Sequence, residues 1–139
     1  MQVDLATSIG YTLKRVTAAL RTAMTAALDD LELTVSQYAT LELLAQRPNI
    51  SNAELARGTF VSRQAAHQLL AGLRERGLVA STGEGRAQRN HLTAEGRRRL
   101  RQASQAVAEV ELRMLERLDD DERNRLFGAL TTCAEALDA

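Results

Sequence analysis

Apolar residues recur at intervals of three or four along most of this chain, the spacing of a helix that buries one face. Ile9, Leu13, Val16, Leu20, Met24, Ala27 and Leu31 form the first stripe and predict one long helix from Asp4 to about Asp29, with Asp29-Asp30 marking its end. Thr34 followed by Gln37 reads as a capping box, in which each side chain bonds the other residue's backbone N–H. It opens a second helix through Gln46 with Tyr38, Leu41 and Leu44 inward. Pro48-Asn49 separates this from a short third helix, which a second capping box opens at Ser51 and Glu54 and which Gly58 is expected to end. Ser62 offers the next N-cap. Ala66, Leu69, Leu70 and Leu73 give the helix that follows its apolar stripe, from Arg63 to about Arg76, and Gly77 closes it.

The periodicity changes after Gly77. Leu78-Val79-Ala80-Ser81-Thr82 has the branched, short run of a strand. The stretch from Gly83 to Arg89 is glycine-punctuated and reads as a hairpin tip, with Asn90-His91-Leu92-Thr93 returning as the second strand. Helical spacing resumes at Ala94-Glu95 with Leu100, Ala103, Val107, Val110, Met114 and Leu118, close to a heptad seam. Asp119-Asp120-Asp121 breaks that helix and supplies the cap and acidic first turn of a last one, striped by Leu126, Leu130, Cys133 and Leu137 with Phe127 beside them.

Two helices joined by a short turn and followed by a basic hairpin make a winged helix-turn-helix, whose second helix enters the DNA major groove. The expected fold is therefore mainly α with a small β-hairpin wing, one domain over residues 1–139. The winged lobe occupies about 34–93, and helices over about 1–31 and 95–139 flank it. These terminal helices carry more apolar stripe than so small a lobe needs, which points to a dimer interface. A two-fold dimer would present its two reading helices to half-sites of a palindrome about 10 bp apart.

Zero net charge looks unsuited to nucleic acid, but the charge is segregated. Ser62 to Arg101 carries a surplus of six positive charges, all from arginine, and Gln102 to the end a surplus of five negative ones. Local potential, and not the sum, attracts phosphate. Arg63, Gln64, His67 and Gln68 lie opposite the apolar stripe of their helix, and Arg and Gln forks match guanine and adenine edges. Those residues alone would equally fit a solvated face; the basic hairpin behind them favours DNA. Ser62 caps the helix and can touch phosphate through its free amides. Arg86 and Arg89 act from the wing, Arg86 toward a narrow minor groove. Arg74 and Arg76 read as phosphate contacts or salt-bridge partners.

No apolar run reaches the length of a membrane span, and no signal-peptide core is present, so the expected location is the cytoplasm. A single cysteine excludes an internal disulfide framework. His67 and His91 stand apart from any clustered carboxylate or thiol, which points to no metal, no cofactor and no enzyme. Cys133, on an apolar stripe, reads as a buried structural thiol.

Leu33-Thr34-Val35-Ser36-Gln37-Tyr38, Ser51-Asn52-Ala53-Glu54-Leu55-Ala56, Val61-Ser62-Arg63-Gln64, Leu73-Arg74-Glu75-Arg76-Gly77-Leu78-Val79 and Leu92-Thr93-Ala94-Glu95-Gly96 together resemble the MarR family of bacterial transcriptional regulators, in order and spacing and over nearly the whole chain. In the family wing an Asp-x-Arg precedes the Leu-Thr-x-x-Gly motif; here Arg86 holds the arginine position and Glu84 replaces the aspartate. The resemblance implies a homodimer paired through its terminal helices, a repressor of transcription, and release by a small aromatic or phenolic acid. Tyr11, Tyr38 and Phe60 are the aromatics available to line such a ligand cleft, with plain core as their alternative role. Two other readings stay open: a winged-helix module that binds protein and not DNA, and a regulator that senses oxidants through cysteine.

Overall fold

Each α-helix of the computed structural model, which describes residues 2–138, starts at a residue whose side chain caps it. Ser8 Oγ accepts the Tyr11 N–H at 3.1 Å and starts α1 (Ile9–Asp29). The Thr34–Gln37 box starts α2 (Val35–Gln46), and the Ser51–Glu54 box starts α3 (Asn52–Thr59). Ser62 Oγ accepts the Ala65 N–H at 3.1 Å and starts α4 (Arg63–Glu75). Thr93 starts α5 (Ala94–Met114). Asp119 and Glu122 cap each other reciprocally at the start of α6 (Asp120–Asp138). Each cap satisfies amides that the first turn leaves without partners.

Between α4 and α5 the chain forms the hairpin of β2 (Val79–Thr82) and β3 (Arg89–Leu92), antiparallel with Val79 opposite Leu92 and Thr82 opposite Arg89. A two-residue strand, β1 (Ile50–Ser51), pairs with the other edge of β3, so β3 is central in a three-stranded sheet. The hairpin tip is a single 3₁₀ turn at Gly85–Ala87.

The core lies under the lobe. Leu28, Leu41, Leu44, Leu55, Leu70, Leu73 and Leu78 are fully buried, contributed by α1, α2, α3, α4 and the entry to β2. Leu100 and Ala103 extend this core into α5, which packs along α1 and α2. Gly96 sets how closely α5 meets the sheet: a Cβ there would lie 2.0 Å from the Leu78 carbonyl oxygen. The Leu92-Thr93-x-x-Gly96 motif thus has a packing meaning. Thr93 donates its N–H to Leu78 O at 3.1 Å and its hydroxyl to Gly77 O at 2.6 Å, and Gly96 lets the first turn of α5 lie on that strand.

Four expectations change. The first helix starts at Ile9 and not Asp4, because the Asp4 carboxylate accepts the Ala6 N–H and its carbonyl the Thr7 N–H, closing a separate turn. Helix α3 runs past Gly58 to Thr59, and the left-handed exit falls on Phe60 at φ 58°. Gly58 serves packing: a Cβ there would press to 2.5 Å from Leu43 Cδ2. The return strand begins at Arg89 and stops before Thr93, whose hydroxyl is taken up as the cap of α5. Cys133 is exposed, because α6 buries none of its residues against its own chain. Its start is tied down by Arg123, which donates to the carbonyls of Leu118 and Leu115. Among the described residues no helix is long and apolar enough to cross a membrane.

Candidate nucleic-acid interface

Amphipathicity decides which side of α4 faces outward. Ala66, Leu70 and Leu73 are fully buried, so Ser62, Arg63, Gln64, His67 and Gln68 are exposed on the other side. Arg63 and His67, four residues apart, share one face. That face borders an open cleft of about 580 Å³, closed on its other sides by the start of α3 (Ser51, Asn52, Ala53) and by Gly85 and Arg86 at the wing tip. The structure thus brings together Arg63, His67 and Arg86 from two elements that the sequence could only place in order. Gln68 points another way, into a shallower groove with Ser36 and Gln37 of α2.

The cleft's cations are available to an incoming anion. Among the described residues the ion pairs are Arg47–Glu54 at 2.8 Å and Arg98–Glu95 at 2.5 Å; neither Arg63 nor Arg86 takes part in one. Glu54 does not line the cleft and is bonded by the Arg47 guanidinium at 2.8 Å. Hydrogen bonds from the Ser51 hydroxyl and backbone N–H hold its carboxyl below the usual range, with Arg47 and Arg57 adding to the effect. Glu84 is exposed and joins no ion pair among the described residues.

Arg89 has a different place from the one its charge suggests. Its Nη1 donates to the carbonyls of Arg86 at 3.0 Å and Gln88 at 2.9 Å, so the guanidinium folds back onto the wing. Arg74 donates to Ser81 Oγ at 3.1 Å and Arg76 to Gln37 Oε1 at 3.5 Å; both serve internal bonds.

The three aromatics proposed for a ligand cleft are placed separately. Phe60 is 94% exposed on the turn between α3 and α4. Tyr11 is exposed on the first turn of α1. Tyr38 is half-buried, and its hydroxyl donates to Glu42 Oε2 at 2.7 Å, the same oxygen that accepts Ser104 at 2.9 Å. A carboxylate in that position would repel an acid ligand. An apolar cavity lies instead between α1 and α5, about 260 Å³, lined by Val16, Ala19, Leu20, Ala23, Val110 and Met114 with Arg113 as the charged group of its lining.

Sequence reasoning missed Asn90 and Asn52. Asn90 is fully buried in β3, and its Nδ2 donates to Ile50 O at 3.1 Å and to Asn52 Oδ1 at 2.8 Å. A signal was available: in Arg89-Asn90-His91-Leu92 the alternation that turns Leu92 inward also turns Asn90 inward, a polar residue at a core position.

A helix-turn-helix whose outward face shares an open arginine-bearing cleft with a hairpin wing defines the winged helix-turn-helix class. Comparison with known proteins narrows it. The sequence profile of the MarR family matches residues 31–89. The HTH-type transcriptional repressor Rv2887 of Mycobacterium tuberculosis is 41% identical over 113 residues, covering 79% of this chain and 81% of that one. The crystal structure of the M. tuberculosis MarR family protein Rv2887 in complex with DNA superposes with a TM-score of 0.78 at 36% identity, over 91% of this chain and 97% of that one. Its complex with salicylic acid gives a TM-score of 0.75 at 36% identity, over 91% and 96%. The chain belongs to the MarR family.

Proposed function

We propose that this protein is a homodimeric, sequence-specific DNA-binding repressor of transcription, released from a palindromic operator by a small aromatic or phenolic acid. The observation that carries the reading is the cleft that Arg63 and His67 of the recognition helix share with Arg86 of the wing, neither arginine joining an ion pair among the described residues. A helix that reads base edges beside a wing arginine that enters the minor groove is a complete set of duplex contacts. The related Rv2887 has been solved both with DNA and with salicylic acid, which supports the same partner and ligand class here.

The homodimer rests on apolar surface that one chain leaves uncovered: Ile9 and Leu13 on α1, and Leu126, Phe127 and Leu130 on α6. Exposed apolar faces on two long terminal helices mark an association surface. For the ligand, the α1–α5 cavity has apolar walls for a ring and the Arg113 guanidinium for a carboxylate, a pairing that fits an aromatic acid.

The test is a binding titration of the full chain against duplexes tiled from the intergenic DNA beside its own gene, repeated at several salt concentrations. Affinity for one palindromic segment that falls steeply with salt, and that salicylate reduces, supports the reading. Binding to no duplex, even at the lowest salt, would overturn it in favour of a protein-binding module.

A further inference from the structure

Five side chains form one directed line of hydrogen bonds between α4, the sheet, the start of α3 and the wing. Arg74 Nη1 at the end of α4 donates to Ser81 Oγ on β2 at 3.1 Å. Ser81 donates to Asn90 Oδ1 on β3 at 2.7 Å. Asn90 donates to Asn52 Oδ1 at the start of α3 at 2.8 Å, and Asn52 donates to Gln88 Oε1 at the base of the wing tip at 2.9 Å. Asn90, the hub, is fully buried and uses its whole amide: the oxygen accepts from Ser81, and the nitrogen serves Asn52 and the Ile50 carbonyl.

The line runs from the C-terminal end of α4, past the start of α3, to the base of the wing tip. Arg63 and His67 stand on α4, where the line begins, and Arg86 stands on the tip, two residues before the line ends at Gln88. The wing is otherwise a short ladder whose outer residues, from Thr82 to Ala87, are exposed. Apolar packing holds the base of such a ladder but fixes its angle weakly, since packing is not directional and hydrogen bonds are. At its centre the fully buried Asn90 amide has every polar atom bonded, and a shift of the hairpin that parts it from Ser81 or Asn52 leaves a buried polar atom unpaired.

From this geometry we infer that the Arg74–Ser81–Asn90–Asn52–Gln88 line is a positioning device: it sets the wing angle and so the span between Arg86 and Arg63 that a duplex must fit. Asn52 and Asn90 are then positioning residues for DNA binding. The inference rests on the reading that the cleft takes DNA.

Double-mutant cycles on the full chain test it, with the duplex selected by wild-type protein from the tiled intergenic DNA. In the wild-type background Arg86→Ala and Arg63→Ala should each weaken binding by about tenfold. In an Asn52→Ala or Ser81→Ala background Arg86→Ala should cost less than about twofold, while Arg63→Ala keeps its full effect. Ser81→Thr, which keeps the hydroxyl, should restore the full effect of Arg86. Full Arg86 effects in both broken backgrounds would overturn the inference and leave Asn52 as at most a direct contact. Equal loss of the Arg63 and Arg86 effects would also overturn it, as general loosening. Wild-type protein that binds no duplex would remove the functional reading and this inference together, whereas additive cycles on a bound duplex remove this inference alone.

Discussion

Arg89 Nη1 donates to the carbonyl oxygen of Arg86 at 3.0 Å, so one wing arginine holds the backbone that carries the other. The side chain of Arg86 is exposed, borders the cleft and joins no ion pair among the described residues. Its removal should therefore leave the fold alone and weaken DNA binding. We expect Arg86→Ala to cost about 1–3 kcal/mol of affinity, the value of one good groove contact, with an unchanged melting temperature. Fluorescence anisotropy at low salt measures the first and a thermal melt the second; undiminished affinity would exclude the wing from the interface.

Arg89 should behave differently. Its donor reaches two carbonyls of the tip, at 3.0 and 2.9 Å, and a lysine has one compact ammonium where arginine has a planar fork. Arg89→Lys keeps the charge yet loses that brace. Affinity should fall even though the net charge and the salt dependence stay as they were, because the number of phosphate contacts sets the salt slope. A salt titration of Arg89→Lys showing wild-type affinity would mean the brace has no consequence for binding.

Much of this arrangement was legible in the chain itself, for a physical reason. Helix starts depend on local pairs such as Thr34 with Gln37 and Ser51 with Glu54, and the apolar spacing of Ala66, Leu70 and Leu73 is fixed by the helix repeat. What was not legible depends on contacts between distant residues. The strand Ile50–Ser51 exists only because β3 offers an edge to it, forty positions away. Phe60 looks like a core or ligand aromatic in sequence, but the α3 exit needs a left-handed residue there and turns the ring to solvent. Charge placed Arg89 with Arg86 as a DNA contact, and only the folded hairpin shows which of the two is turned back on its own backbone.

Phe60 yields its own test. A side chain at φ 58° pays a steric penalty of about 1–2 kcal/mol that glycine avoids. Because the ring is 94% exposed, little packing is lost with it. Phe60→Gly should raise unfolding stability by up to about 1 kcal/mol, glycine's extra unfolded-state entropy offsetting part of the relief. Urea denaturation reads the change, and a clear loss of stability would show that the ring is packed in the working protein.

The Gly96 contact predicts the opposite sign. A methyl group added there would stand 2.0 Å from the Leu78 carbonyl oxygen, a backbone atom that cannot rotate away. Either α5 lifts off the sheet or the Thr93 bonds to Gly77 and Leu78 open. Gly96→Ala should destabilise by about 2–4 kcal/mol, despite alanine's better helix propensity. A melt within a degree or so of wild type would mean that α5 seats on the strand less closely than the backbone places it.

Tyr38 links stability to alkaline pH. Burial pushes its phenol up to about 12 from 10.0, and the Glu42 carboxylate that accepts its proton and repels its anion adds to the shift, with Glu111 contributing and Ser104 opposing. The folded state therefore prefers the neutral phenol. A group whose folded pKa lies above its unfolded value contributes fully below the unfolded one, so this contribution is intact up to about pH 10 and is lost as pH rises toward about 12. Tyr38→Phe removes the bond to Glu42 at neutral pH and should be less stable there, by about 1 kcal/mol, a typical net hydrogen bond. The gap to wild type should then close as pH climbs through that window, since the variant has no phenol to ionise. Urea midpoints of the two proteins at about pH 8 and about pH 11 decide it. A gap that stays constant would mean that the phenol ionises as readily in the fold as in the unfolded chain, and that Glu42 and Tyr38 do not share a proton across α2.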